Sequence, residues 1–319
     1  MQYSWALLLE DLLSGAKRNN MKVYILSKGS NPWHNGRLIY AEAVRQGKDA
    51  ELGFIEWPFT HILRTVQKSR PDWIFITGVS AFSVDQVKQF AKIAKVAIWD
   101  ADAIHAIRDS RWKALSGIPS VVFSVVSNMV ERYPTLSPNS IWTPQYYDDV
   151  TYAASVERPS KDEDFLYDVC FFGNLDAKRS EWLTRLTDAG IVVGMSSNIY
   201  GEKMANGYRQ SRIAIAIWRD GYSSVGKFTV SDRIYKAMGC GAFYLLHQVG
   251  DLDSMFKDNV HLAIYDNTYV SLKAQIDYYL QNPEERERIA KVGQTEILDK
   301  HTLKVRINQY WNTMENAKL

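Results

Sequence analysis

The sequence predicts an α/β protein of two Rossmann-like, doubly wound domains facing a central cleft. Short apolar runs alternate with helical patterns in two series, one on each side of residue 155. Strands alternating with helices at this spacing form parallel βαβ units. With 319 residues the chain is long for one hydrophobic core and sufficient for two.

The first series opens with the buried strand Lys22 to Ser27, which runs into a polar loop with Gly29, Asn31 and Pro32. A helix follows from about Arg37 to Gln46 and stops at Gly47. Strands at 51–56, 73–77, 96–99, 119–124 and 140–142 alternate with helices at 60–68 and 83–94. Polar residues between 152 and 164 form the expected linker. The second series places strands at 167–172, 191–193, 212–218, 243–246 and 261–265, and helices at 178–187, 230–238, 270–281, 283–298 and 302–314. The domains are therefore expected at 21–155 and 156–300, with a closing helix at 301–319. Residues 1–20 are expected to form an amphipathic helix: Leu8, Leu9, Leu12 and Leu13 share one face, while Glu10 and Asp11 break the apolar run a signal peptide would need.

Composition narrows the function classes. A net charge of +2 gives no global field for nucleic acid or an anionic membrane. No segment approaches the ~20 apolar residues that span a bilayer. Cys170 and Cys240 lie far apart in apolar or Gly-rich runs, which suits buried fillers in a reducing, cytoplasmic setting rather than a disulfide framework. No His/Cys/Asp cluster has metal-ligand spacing, so no metal is expected. The first loop lacks a GxGxxG pattern, which disfavours a dinucleotide cofactor.

Two segments of the second half carry phosphate chemistry. In Phe172-Gly173-Asn174-Leu175-Asp176-Ala177-Lys178-Arg179, a strand turns at glycine into a helix with two cations in its first turn. Helix N-termini attract anions, and Lys178 and Arg179 add charge. In the segment from Thr229 to Leu246, an N-capped helix ends in Gly239-Cys240-Gly241 and runs straight into a buried strand. Arg233 sits in its first turn, where a guanidinium can grip a diphosphate with two bonds.

Residues 231–256 resemble the "RxFEAMACGAFLL…GLEELF" signature of CgeB-like, spore-maturation-type glycosyltransferases, which have the GT-B fold. Asp168-Val169-Cys170-Phe171-Phe172-Gly173-Asn174 followed by Arg179 is similar to that family's "DVSFVGxxxxxR" opening. His301-Thr302-Leu303 resembles its closing segment, which recrosses to the first domain. The resemblance implies that Arg179 and Arg233 bind the donor pyrophosphate, with Gly173 and Asn174 approaching it by backbone. It implies a nucleotide-sugar donor, UDP-sugar above all, as co-substrate, with no obligatory cofactor. Lys227, in 222–227, falls in what looks like the loop beside the donor phosphates. Lys236 departs from the pattern: the family has Glu there to accept ribose hydroxyls, and lysine only donates. Phe228 stands where retaining relatives have the first Glu of a pair, which favours inversion.

An inverting transfer needs a general base from the first domain. Asp100 and Asp102 follow the strand ending at Trp99, and either could serve. T-even phage DNA β-glucosyltransferases, more distantly similar in size and pattern, have an acid at the end of a corresponding strand. Trp33 and His34 of the first loop, Tyr146 of the "PQxxD"-like segment at 144–148 and Arg111 are the expected acceptor contacts. Three readings stand at this point: transfer to a glycan, small molecule or surface polymer; transfer to a hydroxymethylated base in double-stranded DNA, gripped by Arg108, Arg111, Trp112 and Lys113; and a non-catalytic nucleotide-binding GT-B module.

Overall fold

The computed structural model describes residues 20–29, 31–100, 111–125, 137, 139–218, 231–249, 252 and 255–317, without the Arg111 side chain. The helix expected over 1–20 falls outside them, apart from Asn20. The first unit contains β1 (Val23–Ser27), α1 (Asn35–Arg45), β2 (Ala50–Phe54), α2 (Phe59–Ser69) and β3 (Trp73–Ile76). It continues with α3 (Val84–Ala91), β4 (Lys95–Asp100), α4 (Arg111–Ala114), β5 (Val121–Ser124) and β6 (Ile141–Trp142). The second contains β7 (Tyr167–Phe172), α5 (Ala177–Asp188), β8 (Val193–Ser196), α6 (Gly201–Arg209), β9 (Ser211–Ile215) and α7 (Arg233–Gly239). There follow β10 (Phe243–His247), β11 (Ala263–Tyr265), α8 (Tyr269–Gln281), α9 (Pro283–Lys300) and α10 (Leu303–Glu315).

Both sheets are parallel, as the near-continuous apolar strands require. The first has the order β2-β1-β3-β4-β5-β6 and the second β11-β10-β9-β7-β8. Strand order reverses between β1 and β3 in one sheet and between β7 and β9 in the other, and such switch points open a crevice at the carboxyl ends. At the first of them a Cβ on Gly36 would lie 2.3 Å from Thr77 Oγ1 and 2.6 Å from Ser27 Oγ. Only glycine lets α1 begin so close to the strand ends.

Each sheet is covered on both faces. Val66, Val87 and Trp112 cover one face of the first sheet, whereas Leu38 and Ile39 of α1 cover the other. Leu303, Ile307, Tyr310, Trp311 and Met314 of α10 share that second face, so the C-terminal helix returns to the first domain as expected. Tyr310 Oη accepts a 2.9 Å bond from the buried Trp99 Nε1. In the second unit Trp182, Leu183 and Ile276 cover one face, and Met204, Tyr235 and Ile297 the other.

The chain joins the two units through two neighbouring crossings. Tyr147 N donates to His301 O, Leu303 N donates to Tyr147 O, each at 2.8 Å, and Arg306 Nε donates to Pro144 O at 3.0 Å. Tyr146 packs in the core of the first unit and Tyr147 in that of the second.

The structure differs from the sequence reading in the following elements. Helix α6 was not expected, because Gly201 at φ +59° and Gly207 against the Phe172 ring lower its helical signal. Strand β9 ends at Ile215, short of the expected 218. The polar linker does not hang free: Asp162 binds both Arg212 and Arg286, and Arg158 pairs with Glu287 at 2.9 Å. All three arginines face the Phe165 ring. Tyr310→Phe strands the buried Trp99 N–H and should lower stability by about 1–3 kcal/mol, read from the midpoint of urea denaturation.

Candidate functional site

In the second sheet Val169 pairs with Ile213, and Ile213 with Phe243. Just past the ends of β7 and β9 come Gly173 and Ile217, and His247 ends β10, all on the carboxyl side of the sheet. Gly173 lacks a side chain, and the space is taken by Arg233: a Cβ there would lie 2.2 Å from Arg233 Nη1. The Arg233 guanidinium stands 5.0 Å from the centre of the Phe171 ring, and that of Arg179 stands 5.3 Å from the same ring. Two positive groups thus share one aromatic ring.

Arg179 is buried and ties together the loops that bound the switch point. Its Nη1 donates to Asn174 O at 2.9 Å and its Nε to Ile217 O at 3.1 Å. Lys178 lies over the Trp182 ring at 5.0 Å. The buried His247 stands edge-on to Trp218, with ring centres 4.4 Å apart. Burial, then the charges of Arg233, Arg179 and Lys178, push its pKa down to about 3, so the ring is neutral at physiological pH. Such an edge, with three cations around a neutral imidazole, can attract an anion.

The other side of α7 faces the first domain across a cavity of about 100 Å³. Trp33, Tyr146, Tyr152 and Tyr200 form its aromatic walls, and Asp148, Asp232 and Lys236 supply its charged side chains. Lys236 Nζ lies 2.5 Å from Asp232 Oδ2 and 4.9 Å from the centre of the Tyr152 ring. Burial opposes the charge on Asp232, but the charge and hydrogen bond of Lys236 outweigh it and hold the carboxyl below its ordinary range. Tyr146 Oη donates to Asn35 Oδ1 at 2.7 Å. Trp33 reaches across to the second domain, where a Cβ on Gly201 would lie 2.8 Å from its ring.

Residues 158–312 match the family described as glycosyl transferase-like. That match spans the second domain. No curated protein matches the chain in sequence. Among solved structures, a glycosyltransferase from Rickettsia africae is 10% identical with a TM-score of 0.69, over 94% of this chain and 99% of that one. Anabaena HepE, in complex with UDP and glucose, is 10% identical with a TM-score of 0.67, over 93% of this chain and all (100%) of its own. The DNA-modifying enzyme β-glucosyltransferase, studied with and without uridine diphosphoglucose, is 10% identical with a TM-score of 0.58, over 92% and 100%. The shared fold is GT-B.

Within this GT-B frame, Gly173, Asn174, Lys178, Arg179 and Arg233 gather at one edge, and Trp33, Tyr146 and Lys236 line the cavity beside it. Asp100 is buried at the carboxyl end of β4, in the first domain. Asp102, Lys227 and the Arg111 side chain lie outside the described residues, as does Arg108. His34 caps α1: its Nδ1 accepts from Gly36 N at 3.3 Å and lies 2.9 Å from Ser27 Oγ. Trp112, which either a DNA-gripping run or a solvated helix face would expose, is instead buried in the core under the first sheet, whereas Lys113 is exposed. The expected free N–H groups at the start of α5 are partly taken, since Asp176 accepts from Arg179 N at 3.0 Å and Ser196 O accepts from Gly173 N at 2.9 Å. Gly173 therefore serves the site by making room for Arg233. Asp232 does not cap α7 but pairs with Lys236.

Sequence reasoning missed Asn35, Tyr152, Tyr200, Asp232 and His247. Only the sheet register and the domain interface bring them to the site, and nothing in their local sequence marks them. Among the described residues, no group of three or more His, Cys, Asp or Glu is placed to hold a metal, and no helix is long and apolar enough to cross a membrane.

The Asp232–Lys236 pair makes a pH prediction. The folded pKa of Asp232 is depressed, so its contribution is present above the unfolded pKa of about 4 and lost as pH falls through the folded value. Asp232→Asn should flatten the acid limb of the stability profile below about pH 4, measured by urea denaturation across that range. At neutral pH its cost should stay within about 1 kcal/mol, because the Asp232 side chain is 42% exposed.

Proposed function

We propose that the chain is a glycosyltransferase that takes a UDP-sugar and passes the sugar, with inversion, to a hydroxyl of a glycan, small molecule or surface polymer. The observation that carries this reading is the pair of guanidinium groups, Arg179 and Arg233, on the Phe171 ring at the carboxyl edge of a glycosyl transferase-like domain. Asp232, the acid adjoining Arg233 in sequence, is paired with Lys236, which leaves Arg233 available to a diphosphate. The uridine nucleotides of HepE and β-glucosyltransferase support the choice of nucleotide. The signature in 231–256 supports the CgeB-like branch of the family.

The chemistry follows from the charges. As the glycosidic bond to the diphosphate breaks, negative charge grows on the leaving phosphate, and fixed cations stabilise it without reorganising. Arg233 and Arg179 supply that field, with Lys178 near. Asp100 or Asp102, from the facing domain, takes the acceptor proton. Trp33, His34, Tyr146 and Arg111 contact the acceptor, Gly173 and Asn174 border the phosphates, and Lys227 and Lys236 contact the donor. Lys236, as a donor of hydrogen bonds, replaces an acidic ribose contact with a different one.

A thermal-shift screen with UDP-, GDP-, ADP- and dTDP-sugars tests the donor, since a bound ligand raises apparent stability by mass action. UDP-sugars should give the largest shift, and slow release of UDP should accompany it. Binding without release would favour the non-catalytic module. Arg233→Ala should weaken UDP by roughly 10- to 100-fold, the loss expected when hydrogen bonds to a charged group disappear. If UDP binds the variant as tightly as the wild type, the donor site lies elsewhere.

Of Asp100→Asn and Asp102→Asn, one should lower kcat by roughly 10²- to 10⁴-fold while UDP affinity holds. If neither does, the base is another group. Proton NMR of the product's anomeric centre reads inversion directly. The likeness to a DNA-modifying enzyme favours a second reading in which the acceptor is a hydroxymethylated base in DNA. Salt-sensitive retention on duplex DNA would support it, and no retention at low salt would exclude it.

A further inference from the structure

His247 ends β10 at the carboxyl edge of the second sheet. It is 6% exposed, and neither ring nitrogen has a hydrogen-bond partner among the described residues. Buried polar groups in folded proteins are normally satisfied, and leaving one unsatisfied costs stability. Trp218, edge-on at 4.4 Å, packs against the imidazole. The charged groups acting on it are all cations: Arg233 from α7, and Arg179 and Lys178 from α5.

We propose that His247 is a specificity contact for the donor's diphosphate, giving its ring N–H to a phosphate oxygen held by Arg179 and Arg233. This rests on the UDP-sugar reading of the same site. The three cations draw an anion to the edge where the imidazole waits, whereas a nucleobase or a sugar hydroxyl has no such attraction to them. A neutral ring suits the place. With a pKa of about 3 it carries one N–H donor and one lone pair, and it adds a directed bond without a fourth positive charge repelling the other three. The contact distinguishes a diphosphate from a nucleoside, because uridine has no phosphate oxygen to place there.

Titration calorimetry of UDP and of uridine against the wild type, His247→Phe and His247→Gln tests the assignment. His247→Phe should weaken UDP by roughly tenfold or more and leave uridine within about twofold, while His247→Gln, which keeps an N–H, should stay within about threefold of the wild type for both. Equal losses for UDP and uridine, or no loss in His247→Phe, would overturn the inference. Should the variants fail to fold, NMR of the wild type with labelled histidines decides: a buried imidazole N–H should shift on saturation with UDP, and if none shifts the assignment falls. Wild-type protein that binds neither UDP nor uridine would remove the donor reading and this inference together. Wild-type binding with an indifferent His247→Phe would remove this inference alone.

Discussion

Between Tyr146 and Tyr147 the chain passes from one hydrophobic core into another, and the rest of the molecule depends on how that step is held. Tyr146 is buried with Leu38 and Tyr310, and Tyr147 with Cys240 and Met238. A Cβ on Gly239 would lie 2.5 Å from the Tyr147 ring, so α7 can seat there only because that residue is glycine. The second crossing bonds to the first on both sides of Tyr147. Two adjacent side chains pointing into opposite cores, with their backbone bonded on both edges, set where the cavity lies relative to the cationic edge. Helix α7 borders both. Its Arg233 turns toward Gly173 and its Lys236 toward the cavity.

The division of charge along α7 gives the site its polarity. Asp232 and Lys236 lie four residues apart and neutralise each other on the face toward the first domain. Arg233 leaves by the other face, over a glycine, to a ring it shares with Arg179. An acidic residue at 236 would have left Asp232 beside a like charge. The lysine at 236 is therefore consistent with its own neighbour, Asp232.

Much of the fold was legible in the sequence, because buried parallel strands leave unbroken apolar runs and helices leave periodic ones. Gly173, Arg179 and Arg233 could be singled out as candidates because glycine turns and first-turn cations are local signals, and the structure brings them to one edge. Helix α6 was not, because its two glycines serve close packing against Phe172 and Trp33 rather than helical propensity. His247 was hidden for another reason. It reads as the end of an apolar strand, and only the parallel order of β7, β9 and β10 brings it to the same carboxyl edge as Gly173. Asp232 read as part of a helix start, and its partner four residues on could not be told from a solvated pair without knowing that Tyr152 lies over it. Trp112 misled in the opposite direction: beside arginine and lysine it looked like a nucleic-acid contact, yet the ring belongs to the core.

The cysteines carry a practical consequence. Cys170 and Cys240 are the protein's two thiols; both are free and buried, and burial pushes each up to about 12. Thiolate is the reactive species, so at neutral pH both should be silent toward alkylating reagents and oxidants. The natural chain is thus a blank background for chemical labelling. A single cysteine introduced on an exposed position of each domain would carry a spectroscopic probe without removing any native residue from the cores, and the distance between two such probes would report the width of the cleft as nucleotide is added.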